Sequence, residues 1–95
     1  MGQSGADFGA VSTDGLMIRA RRRIDQAAEE VPTLLMTRKR KERTLLGLAM
    51  ARAAMEAEYM AVRAGTGSEK ALRDKLVQLL DPQISGGRKG TRIRW

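Results

Sequence analysis

The sequence predicts an all-α fold, and three observations carry that expectation. Aromatic residues make up only 3% of the 95 residues (Phe8, Tyr59 and Trp95), so Leu, Met and Ala must do the packing. These are helix formers rather than strand formers. Apolar residues also recur at alternating intervals of three and four, which is the helical period. Finally, Pro32, Pro82 and the Gly65/Gly67 pair fall between the periodic stretches, where helices are expected to stop. The length suits one modest core. The expected organisation is an arm over 1–14, a helical domain over 15–81 and a Gly/Arg-rich basic tail over 82–95.

Residues 1–14 hold glycines, small polar residues and two aspartates without apolar periodicity, and read as a flexible or partner-ordered arm. A first helix is expected over about 15–31, with Ser12, Thr13 or Asp14 as N-cap. Its seam is Met17, Ala20, Ile24, Ala27 and Val31. Pro32 lacks an N–H and crowds the preceding turn, so the chain is expected to kink or turn as a hairpin there.

A second helix is expected over about 33–64, with Gly47 its only weak point. It has two apolar sides. Leu46, Ala49 or Met50, Ala53, Ala57, Met60 and Ala64 line one, and Leu48, Met55, Tyr59 and Val62 the other. Two such sides imply burial in two directions. The first side is therefore the expected helix-packing or oligomer interface. An unbroken helix of this span is about 48 Å long, whereas a compact globule of this size is about 32 Å across. The expectation is an overshooting rod; a break near Thr37 or Thr44 is the compact alternative.

Gly65-Thr66-Gly67 suits a helix C-terminus. Thr66 and Glu69 stand at capping-box spacing, with Ser68 a competing cap, and open a short third helix over about 68–80. Leu72, Leu76, Leu79 and Leu80 form its apolar side, and Asp81-Pro82 stops it.

Several chemistries fail. There is no Cys and no His, which removes thiol chemistry, the usual general base and the commonest metal ligand. Asp7-Phe8-Gly9 spells the magnesium triplet of protein kinases, but the other kinase motifs are missing. Gly86–Thr91 has Lys-Gly-Thr where a phosphate loop needs Gly-Lys-Thr. Glu56 and Glu58 point to different helix faces, and Asp25, Glu29 and Glu30 make a poor metal site without His. The chain is expected to be no enzyme, with no cofactor, metal or small-molecule substrate. The most apolar stretch, 45–64, carries Arg52, Glu56, Glu58 and Arg63 and is no membrane span. No signal peptide is read at the N-terminus, and position 6 is Ala where a myristoylation start needs Ser or Thr. The expected location is the cytoplasm or a macromolecular assembly.

The formal charge of +7 is concentrated in three clusters. Arg19, Arg21, Arg22 and Arg23 have Asp25, Glu29 and Glu30 close by for pairing along the helix. Arg38, Lys39, Arg40, Lys41 and Arg43 have only Glu42 locally, and Arg88, Lys89, Arg92 and Arg94 have no local acid at all. The last two clusters are the expected contacts to an anionic partner. Trp95 is the expected tail anchor, in a protein pocket or stacked on a base.

The functional expectation is an assembly or adaptor subunit of a larger complex, such as a virion or secretion apparatus, with other subunits or copies of itself as partners. The alternative is a small nucleic-acid-binding protein making mostly non-specific phosphate contacts to DNA or RNA.

Overall fold

The computed structural model describes residues 8–81 together with Ile93 and Trp95. Three α-helices form: α1 (Thr13–Glu30), α2 (Arg38–Arg63) and α3 (Glu69–Leu80), with a 3-10 turn at Val31–Thr33. No strand occurs among the described residues. The arm lies outside them up to residue 7, and so does the tail apart from Ile93 and Trp95.

Each helix is started by a side-chain cap. Ser12 caps α1 by accepting from the Gly15 N–H, at 3.0 Å. Thr37 caps α2 through the Arg40 N–H at 3.1 Å. Ser68, rather than Thr66, caps α3 through the Ala71 N–H. Thr66 instead belongs to the end of α2. There Gly65 takes φ +84°, and the Thr66 and Gly65 N–H groups close on the carbonyls of Ala61 and Val62. That pair of bonds is a Schellman C-cap, and the left-handed backbone at Gly65 favours glycine.

The second helix is shorter than its apolar pattern suggests. Pro32 sits in the 3-10 turn, Leu34 is extended at φ −84°, ψ 152°, and α2 begins only after Thr37. The Thr37 hydroxyl satisfies the Arg40 amide, one of the four N–H groups that a helix start leaves without an intrahelical partner. The expected helix over about 33–64 is thereby corrected: the chain breaks near Thr37, as in the compact alternative, and the 26 residues of α2 span about 39 Å rather than about 48 Å.

α1 is the centre of the molecule. Its predicted seam is buried in full, together with Leu16. Leu72, Leu76 and Leu79 of α3 and Leu48, Ala51 and Met55 of α2 close on it. Phe8, Val11, Tyr59, Val62, Val77, Leu80, Ile93 and Trp95 pack around this core. Asp14 meets Tyr59, Arg21 meets Glu56 and Asp25 meets Arg52, so α1 and α2 run antiparallel. Each of the three helices contacts the other two, so they form a small three-helix bundle around the buried side of α1.

Candidate interaction surface

The packing of α2 against α1 and α3 decides what it exposes, because the side turned away from both neighbours faces solvent. Leu48, Ala51 and Met55 turn inward with Tyr59 and Val62 beside them. A rotation of 100° per residue puts Leu46, Ala49, Ala53, Ala57, Met60 and Ala64 on the opposite side, and all six are exposed. The large side chains there stand well into solvent, at 60% for Leu46, 64% for Met50 and 67% for Met60. Just before the helix Leu35 is fully exposed, and Leu45 is partly so. The predicted packing residues are thus on one continuous face, which no described part of the chain covers.

The basic cluster occupies the start of the same helix. Arg38 pairs loosely with Glu42 at 3.6 Å, and Lys41 turns back to donate to the Pro32 carbonyl at 2.8 Å. Lys39, Arg40 and Arg43 form no ion pair with another described residue; with Thr37 and Thr44 they line an open cleft. The first turn of α2 contains no acid. Cations there oppose the positive end of the helix dipole, a local conflict worth about 0.3–1 kcal/mol per charge.

Arg21 of the first arginine cluster pairs across to another helix rather than along its own. Arg21 reaches across to α2 and grips Glu56 with two bonds, at 2.6 and 2.9 Å. Arg52 joins the same carboxylate at 3.3 Å and also pairs with Asp25 at 2.8 Å. Hydrogen bonding from Arg21 holds the Glu56 carboxyl below the ordinary glutamate range, against a smaller opposing push from burial. The same bond raises the Arg21 guanidinium.

A second network ties the N-terminal segment to α3. Arg73 donates to the Phe8 and Val11 carbonyls, at 3.2 and 2.7 Å, and to the Thr13 hydroxyl at 3.0 Å. Thr13 in turn donates to Glu69. The sequence offers no local cue for this network, because its partners lie more than 50 residues apart. Tyr59 is likewise structural: its hydroxyl donates to Asp14, and Arg21 and Arg63 lie over its ring.

Trp95 lies on its own molecule. Its ring is half-buried, the indole N–H donates to Glu58 at 3.2 Å, and Lys75 sits 5.5 Å from the ring centroid. The predicted contacts Arg88, Lys89, Arg92 and Arg94 lie outside the described residues. No helix among the described residues is long and apolar enough to cross a membrane. No group of three or more acidic side chains gathers among them in a way that would hold a metal. Compared with known proteins, the chain matches no family model, no curated protein and no solved structure.

Proposed function

We propose that this chain is a non-catalytic helical assembly subunit that docks on another helix through the outer face of α2. One observation carries the reading: Leu46, Met50 and Met60 stand in solvent on a single face, with alanines between them. Contiguous exposed apolar side chains of this kind mark interaction surfaces, and burying them against a partner is favourable at ~25 cal/mol per Å², a gain set against an association cost of about 4–15 kcal/mol. The small residues let a neighbouring backbone approach closely. The basic start of α2 and the tail then supply contacts to adjacent subunits, as suits a component of a larger particle such as a virion or secretion apparatus.

The test is light scattering on the full chain at rising concentration, beside Ala53→Arg. Association that is lost in the variant at unchanged helicity supports the reading. A monomer at every concentration overturns it.

A second reading, phosphate binding on DNA or RNA, is favoured by Lys39, Arg40 and Arg43 lining one cleft without ion pairs to other described residues. Affinity for a labelled duplex would then fall with salt at a log–log slope of about −0.9 per phosphate neutralised. Changing the three residues to Gln should flatten that slope by two to three such steps, and an unchanged slope removes this cleft from consideration.

A further inference from the structure

We infer that the occupant of the outer α2 face is a second copy of this chain, packed antiparallel about a twofold axis beside Ala53. The inference deepens the assembly reading and rests on it. Leu46, Ala49, Ala53, Ala57 and Met60 are separated by three, four, four and three residues, so their spacing is the same in both directions from Ala53. Their sizes follow the same order: large, small, small, small, large. All five side chains are exposed on one side of one continuous helix.

A twofold interface has to be self-complementary, with residue i meeting j wherever j meets i. An antiparallel α2 pair centred on Ala53 satisfies that condition with residues already on the surface. Leu46 of one copy falls opposite Met60 of the other, Ala49 falls opposite Ala57, and Ala53 faces its own counterpart. The three alanine layers bring the helix axes towards the lower end of the usual 8–10 Å separation. At that distance Leu46 and Met60 interdigitate at the two ends of the seam, and Met50 covers its flank.

Charge selects the same orientation. A parallel pair would set two Arg38–Arg43 clusters side by side, each without an acid in the first turn of α2 to offset it. Antiparallel pairing moves them to opposite ends of a helix about 39 Å long, several times the ~8 Å screening length in physiological salt. The seam from Leu46 to Met60 rises only about 21 Å, so the interface is at the small end of stable ones and the dimer should dissociate on dilution.

The chain has no cysteine, so single introduced thiols report the geometry without background. Ala53→Cys, Leu46→Cys and Met60→Cys all sit at exposed positions, with circular dichroism as the check on folding. Under mild oxidation at about 100 µM, a concentration suited to a small interface, Ala53→Cys should link to itself in high yield. Leu46→Cys should link to Met60→Cys in an equimolar mixture and scarcely to itself. Self-linking of Leu46→Cys as efficient as that of Ala53→Cys would show a parallel pair and overturn the inference, leaving the assembly reading in place. Higher-mass species in light scattering without any linking at Ala53 would do the same. A wild-type chain that stays monomeric, with no linking at any position, overturns both.

Discussion

Glu56 is held by two arginines, Arg21 from α1 and Arg52 from its own helix. Because this holds its folded-state pKa below the unfolded value, the carboxylate contributes stability that is complete above the ordinary glutamate value of about 4.3. That contribution is lost as pH falls through the lower folded value. Glu56→Gln should therefore cost about 1 kcal/mol at neutral pH, as expected for a pair about one-third exposed, and should flatten the stability profile below about pH 4.5. Chemical denaturation at pH 7 and pH 3 checks both. Arg73 has more to lose. It satisfies two backbone carbonyls and the Thr13 hydroxyl, so Arg73→Ala should cost about 1.5–3 kcal/mol. Hydrogen exchange should then rise first at residues 11–15, and uniform exchange would show that the network holds nothing locally.

At the level of elements, capping decides where helices begin, while periodicity decides only which side of them is buried. The apolar pattern of the second helix runs back towards residue 33, yet the helix starts at Arg38 because Thr37 supplies the acceptor and Pro32 has already redirected the chain. Thr37→Ala should cost about 1 kcal/mol. It should fray a helix end already burdened by cations at its positive pole. Thr37→Asp should keep the cap and ease that burden, so its thermal midpoint should exceed that of Thr37→Ala. Equal midpoints for the two variants would remove Thr37 as the determinant of the start.

Across the whole molecule, the packing of α1 and α3 against one side of α2 makes its two sides energetically unlike. Leu72 is completely buried between helices, and Leu72→Ala should cost about 2–5 kcal/mol. Leu46 is of the same residue type but 60% exposed, and Leu46→Ala should change monomer stability by no more than about 0.5 kcal/mol. Its effect should appear in association instead. Denaturation of dilute samples separates the two, and a large loss at Leu46 would mean that the face is already covered within one chain.

Much of this was legible in the residues themselves. The helical class, the α1 seam from Met17 to Val31 and the Leu72-Leu76-Leu79 stripe follow from local periodicity, because a helix brings residues three and four apart to one side whatever surrounds it. The membership of both α2 faces is local information of the same kind. Tertiary structure alone decided which face points inward. It also placed Arg21 on Glu56 and Arg73 on the Phe8 and Val11 carbonyls, and it returned Trp95 to its own helices. Those outcomes depend on how three helices pack against one another, and sequence spacing carries no record of contacts between segments 30 to 60 residues apart.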